Sequence, residues 1–272
     1  MNTYADDIHK HLRCKERKRY MFRGLSVQLE HRTKLIRYLE QICEEKKYCV
    51  AVQHLAAYLL DIFMDNHRIL SGHLEIALIV CIILAAKLEE QDQMPPKYSE
   101  FQTFLPSKYE LSEFLQVEIA ILSFYEWNIM FPTAPHFTEY YLLFVFLPND
   151  LLKDEPINRY QGAETCVKKY IEYFLDVVVQ KTEYLQFYPS LVAAACIAST
   201  RRCLLIRPVW PETLQSVTLY KYQQIEPCVE LLLQALDEDL VKNEKETLDR
   251  FLGSGKRKLS QSEDSASKII KS

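Results

Sequence analysis

Residues 74–90 read LEIALIVCIILAAKLEE. Eleven consecutive apolar residues, Ile76 to Ala86, leave no polar face, so a helix here has to be enclosed on all sides. The run is too short to cross a bilayer, which needs about 20 residues, so no membrane partner is expected. A helix of this kind is the central member of a bundle. The segments around it carry the complementary pattern. Residues 26–46 place Leu35, Tyr38, Leu39 and Ile42 on one stripe, 50–65 read VAVQHLAAYLLDIFMD, a short helix is expected near 98–105, and 111–127 read LSEFLQVEIAILSFYEW. An amphipathic helix over 3–17 precedes them, with Asp6 and Asp7 near its start and basic residues in its last turn, matching the helix dipole.

After Phe131-Pro132-Thr133-Ala134-Pro135 the same grammar returns. Helices are expected near 135–146, 161–181, 188–205, 211–218 and 223–238. The run YPSLVAAACIAST at 188–200 is again apolar almost throughout. The two central helices begin about 115 residues apart, which reads as a long-period duplication. The expected fold is therefore all-α: two consecutive five-helix sets over 26–131 and 132–242, an N-terminal helix and lead-in over 1–25, and a Ser- and Lys-rich tail over 243–272 expected to be disordered.

Five glycines among 272 residues leave no Gly-rich phosphate loop to be written. The eight cysteines lack paired Cys-x-x-Cys spacing, which argues against zinc and reads as small buried hydrophobes in a reducing compartment. His9 and His11 point apart on a helix, and His54 and His73 lack a matched partner, so no metal is expected. No nucleophile or acid–base motif stands out, and no cofactor is called for. The net charge is −4, with the first 48 residues at +5 and the remainder at −9. That balance makes nucleic acid an unlikely partner. The polar N-terminus does not read as a secretory signal.

Particular residues resemble the cyclin family. Leu84-Ala85-Ala86-Lys87-Leu88-Glu89-Glu90 is similar to the end of the family's third box helix, Glu118 to its fifth-helix glutamate, and Arg32 with Asp61 to its internal ion pair. Tyr4-Ala5-Asp6-Asp7-Ile8 resembles its N-terminal helix. In the second half, Tyr188-Pro189-Ser190-Leu191-Val192-Ala193, Trp210-Pro211-Glu212 and Glu226-Pro227-Cys228 resemble shorter family runs. Residues 54–61 and 189–196 are most similar to the J-type members. The resemblance covers roughly residues 4–240 and implies two cyclin boxes and a non-catalytic subunit. Such a subunit binds and activates a cyclin-dependent Ser/Thr protein kinase in cell-cycle control and acts on that complex's substrate proteins in the nucleus, with the cytoplasm as a second location.

By that resemblance Lys87 and Glu118 form a polar pair that holds the kinase. Leu84, Leu88, Ile119, Leu122, Trp127 and Ile129 supply apolar contact, with Ile8 and His11 from the first helix. Spacing alone describes an ordinary surface pair, worth about 0–1 kcal/mol. Arg32 and Asp61 are expected to be a structural ion pair. The family's substrate-docking patch maps to His31, Lys34, Leu35 and Tyr38 with Gln41 and Glu75, and its two lost apolar anchors imply weak or altered docking of Arg-x-Leu peptides. Lys256-Arg257-Lys258-Leu259 reads as a short nuclear-localisation patch or a plain soluble end. Two further readings are a double-box nucleic-acid-binding transcription factor of the TFIIB type, which needs a broad basic face, and a helical scaffold without a kinase.

Overall fold

A computed structural model describes residues 3–90, 94–106, 108–152, 155–156 and 161–242. The expected tail over 243–272, with Lys256–Leu259, lies outside them. Helix α1 spans Thr3–Glu16, α2 Arg32–Lys46, α3 Val50–Asn66, α4 Leu74–Glu89 and α5 Leu111–Phe124. A second series follows: α6 Ala134–Leu142, α7 Gln161–Gln180, α8 Pro189–Cys203, α9 Glu212–Thr218 and α10 over 222–242. By internal contacts the chain divides between Val229 and Glu230 into two compact units. Both five-helix series lie within the first except for the end of α10; residues 230–242, all helical, are the described part of the second.

Helix α4 is the centre of the first series. Every residue from Ile76 to Ala86 is buried, and α3 and α5 pack directly against it. Helix α8 plays the same part in the second, buried from Val192 to Arg201 and packed on α6 and α7. The two starts, Leu74 and Pro189, stand at the interval that the pattern predicts.

Local chemistry moved several ends. The expected helix over 26–46 begins as a separate 3-10 turn, Val27–His31, because Ser26 caps it by accepting the Gln28 N–H. Residues Tyr98–Phe104 form a 3-10 helix. Helix α5 stops at Phe124, not 127, since Glu126 and Trp127 both adopt left-handed backbone. With so few glycines, left-handed helix ends fall to ordinary residues, Lys47 after α2 and Leu219 after α9. A three-stranded antiparallel sheet, absent from the all-α expectation, joins β1 Leu151–Leu152, β2 Glu155–Pro156 and β3 Ile206–Arg207 in the order β2-β1-β3. Two-residue strands are too short to leave a period in the sequence. Four cysteines, Cys43, Cys81, Cys196 and Cys228, are buried as expected, but Cys14, Cys49 and Cys166 are exposed.

Arg32 joins the two series. Its Nε and Nη2 donate to the two Asp61 oxygens at 2.8 and 2.9 Å, tying α2 to α3. The same guanidinium donates to the Val179 and Gln180 carbonyls, both at 2.7 Å. Those carbonyls end α7, where the helix dipole favours a cation. The second series has its own buried pair. Arg201, fully enclosed near the end of α8, donates to Asp150 Oδ2 at 2.7 Å and Oδ1 at 2.6 Å, and to the carbonyls of Val145, Pro208 and Val209.

The inner face of α1 lies on the second series. His9 stacks on Tyr140 and reaches the Tyr141 hydroxyl at 3.1 Å. Glu16, buried, accepts the Ser190 N–H and hydroxyl at the start of α8. Arg13 Nη1 donates to the Tyr220 hydroxyl and to Ser190 Oγ, and pairs with Glu16 at 3.1 Å.

Candidate partner-binding face

The last turn of α4 and the outward side of α5 bring Lys87 and Glu118 together. Lys87 Nζ stands 2.8 Å from Glu118 Oε1. The lysine is exposed because α4 outruns its neighbours after Ala86, and the glutamate is half-buried beside it. Tyr98 lies under the pair, with Lys87 Nζ 5.9 Å from its ring centre. Burial and the Glu118 carboxylate push the Tyr98 phenol up, so it stays neutral and able to donate.

Large apolar side chains lie in the open on the end of α4, on α5 and just after it. Leu88, Leu115, Ile119, Trp127 and Met130 are all exposed, the indole of Trp127 by 68%. Trp127 is held there by its backbone: its N–H bonds the Leu122 carbonyl at 2.8 Å while its φ is 61°. Leu122 is half-buried against the core. Leu84 and Ile129 do not belong to this surface. Leu84 shares a helical face with Lys87 but lies one turn deeper, where α4 is still enclosed, and the left-handed turn at Glu126–Trp127 is followed by an inward-facing Ile129; both are core residues. Met130 was not picked out by spacing, since it falls outside the helix. On α1, Tyr4, Ile8 and His11 lie outward, at i, i+4 and i+7, opposite the face that covers the second series.

A second grouping surrounds a groove of about 440 Å³ lined by Lys34, Arg37, Tyr38, Gln41, Glu75 and the loop at 104–106. Lys34 Nζ lies 3.1 Å from Glu75 Oε1. Leu35 takes no part: it points into the core at 3% exposure. His31 stands apart from the groove, beside Glu30. Arg32 and Asp61 are buried as an ion pair, with the added contacts to α7.

Among the described residues no cluster of His, Cys, Asp or Glu is arranged to hold a metal ion, and no helix is long and apolar enough to cross a membrane. His54 is enclosed, and burial followed by the nearby His136 lowers its pKa to about 3, so it is neutral. For His136 burial opposes the charge, but Glu89, 3.2 Å away, together with Glu139 raises the pKa overall. His54 lies on α3, and His136, on α6, meets Glu89 at the end of α4.

The described residues thus form two helical sets, each around a buried central helix, with exposed apolar side chains on the end of α4 and on α5. The chain belongs to the cyclin family: the N-terminal domain of cyclins matches residues 4–130 and the C-terminal domain residues 132–269. Among curated relatives it is similar to cyclin-J of Xenopus laevis, 36% identical over 89% of this chain, and to a cyclin-J-like protein of Mus musculus, 35% identical over 92%. Cyclin-A2 of Gallus gallus is 28% identical over 83% of the chain and 54% of its own length. The chain spans about two thirds of its cyclin-J-type relatives, 64% and 67% of these two. Its fold matches a viral cyclin from herpesvirus saimiri with a TM-score of 0.66, at 17% identity, over 84% of this chain and 96% of the other.

Proposed function

We propose that the chain is a regulatory subunit that binds and activates a cyclin-dependent Ser/Thr protein kinase in cell-cycle control, with no chemistry of its own. The observation that carries this is the Lys87–Glu118 pair between α4 and α5 together with the exposed Leu88, Leu115, Ile119, Trp127 and Met130 on and just after those helices, in a member of the cyclin family. A kinase needs the glutamate of its αC helix paired with its β3 lysine and an ordered activation loop. A rigid face that binds αC in one position shifts the kinase toward that state, by as much as its preference for it. Lys87 and Glu118 then exchange part of their mutual contact for backbone groups of the kinase, and the indole and leucines bury apolar area. Ile8 and His11 extend the face from α1. Nuclear residence, with a cytoplasmic share, belongs to the same proposal.

The groove at Lys34, Tyr38, Gln41 and Glu75 is the candidate for recognising substrate proteins. Lys34 already engages Glu75, which disfavours a basic peptide there. The second series is acidic on balance, which weighs against nucleic-acid binding.

The test is affinity capture of the tagged chain, mass spectrometry for kinases, and a kinase assay on the captured material. Wild type should bring down kinase activity, and Lys87→Ala with Glu118→Ala should lose at least tenfold of it. Undiminished capture and activation by the double variant overturns the assignment.

A further inference from the structure

After Tyr20 and Phe22, which pack on the core, residues 23–26 form a largely exposed strap whose amides hang on one side chain. Asp65, in the last turn of α3, accepts four amides: Arg23 N–H at 2.6 Å and Gly24 N–H at 3.2 Å on Oδ2, Leu25 N–H at 2.9 Å and Ser26 N–H at 3.3 Å on Oδ1. Gly24, at φ +69°, supplies the left-handed step that wraps the strap around the carboxylate. The side chains contribute little: Leu25 and Val27 are 80% and 85% exposed. A second clasp, the Gln28 side-chain amide on both backbone groups of Ile69, begins only after Ser26.

We propose that Ser26 is a phosphate acceptor for an arginine-directed Ser/Thr kinase, and that its phosphorylation releases the strap from Asp65. Arg23 stands three residues before Ser26, and the backbone at Ser26 is extended (φ −75°, ψ 131°) between two exposed residues. That is the form in which a kinase cleft takes a substrate segment. Ser26 Oγ accepts the Gln28 N–H at 3.3 Å, a long bond that holds it weakly. In the reaction Ser26 Oγ bonds to the γ-phosphorus of ATP, the bond from that phosphorus to the β,γ-bridging oxygen breaks, ADP leaves, and the hydroxyl proton passes through the kinase's base to solvent.

The consequence follows from charge. The new group carries about −1.5 to −2 at neutral pH. It is attached to a residue whose own amide is bonded to a carboxylate, and Glu30, exposed, lies four residues on. Three acidic groups then share one side of the strap, and the four amide bonds to Asp65 are the contacts that yield. Arg68 lines the same side of the molecule, so re-anchoring of the phosphate on this cation is the opposing outcome. The inference stands on the strap and does not depend on the proposed partner.

The test treats the full chain with Mg-ATP and the catalytic subunit of cAMP-dependent protein kinase, maps phosphate by peptide mass spectrometry, and follows amide hydrogen exchange. Mapping is needed because Arg68-x-x-Ser71 and Arg257-x-x-Ser260 have the same spacing. Phosphate is expected on Ser26, absent from Ser26→Ala and at least tenfold slower in Arg23→Ala. The amides of residues 23–26 should then exchange at least tenfold faster, as in Asp65→Ala, with α4 unchanged. An unmodified Ser26, or a phosphorylated chain whose strap amides are as protected as before or more so, overturns the proposal.

Discussion

Glu16 and Ser190 are joined twice: the Ser190 amide donates to Glu16 Oε2 at 3.0 Å and its hydroxyl to Oε1 at 2.7 Å. A carboxylate at the end of one helix thereby caps the start of another 174 residues away, and α1 is fastened to α8 where the dipole favours an anion. Glu16→Ala should cost about 1–3 kcal/mol, the usual loss for buried hydrogen bonds to a charged group. Hydrogen exchange should show α1 unprotected while α4 stays closed. Equal protection of α1 in variant and wild type would show that His9 and Arg13 suffice.

Arg201 and Asp150 make the second lobe's counterpart of Arg32 and Asp61. Arg201→Met leaves a buried carboxylate unpaired and three carbonyls short of a donor, and should destabilise by about 3–5 kcal/mol in urea unfolding. Adding Asp150→Asn should cost much less than the sum of the two single changes, since the unpaired charge is then gone.

His54 predicts a pH response. Its folded pKa, about 3, lies below the unfolded value of 6.5. Between those values the unfolded chain holds a proton that the folded chain lacks, so stability is full above pH 6.5 and falls as pH drops toward 3. The fall due to His54 reaches about 2–3 kcal/mol by pH 4.5. His54→Leu should flatten the decline between pH 7.5 and 4.5 by that amount, read from urea midpoints at both pH values. An unchanged slope would assign the decline to other groups.

Trp127 separates stability from binding. Its left-handed backbone disfavours any residue but glycine by about 1–2 kcal/mol, and its indole lies mostly in solvent. Trp127→Gly should leave unfolding stability unchanged or raise it by up to about 1 kcal/mol. Capture of kinase, if the proposed face is right, should fall at least tenfold. Lost stability together with lost capture would make Trp127 a scaffold residue.

Much of this architecture is legible in residues 74–90 and 188–200, because a helix without a polar face has one place to go. The Arg32–Asp61 pair was legible through family resemblance, but its bonds to Val179 and Gln180 were not, since backbone carbonyls carry no sequence signal. Arg201 went unread for a related reason: a basic residue in the last turn of a helix looks like an ordinary dipole complement. Leu35, Leu84 and Ile129 show the limit of carrying contact positions over by resemblance. Periodicity tells which residues share a face, while depth along the helix decides whether that face meets water or core. Trp127 and Met130 lie beyond α5, where a turn of left-handed residues that no helical period describes sets their exposure.

The bonds from Arg32 to α7 also put the chain on a clock. Its acceptors at Val179 and Gln180 come 147 and 148 residues later. At 5–20 residues per second the ribosome needs about 7–30 s to make that stretch. Asp61 is itself made 29 residues after Arg32, and from then until α7 is complete the guanidinium has its carboxylate but lacks its two carbonyl acceptors. A product truncated at the proline break would lack both acceptors and leave that side of Arg32 to water.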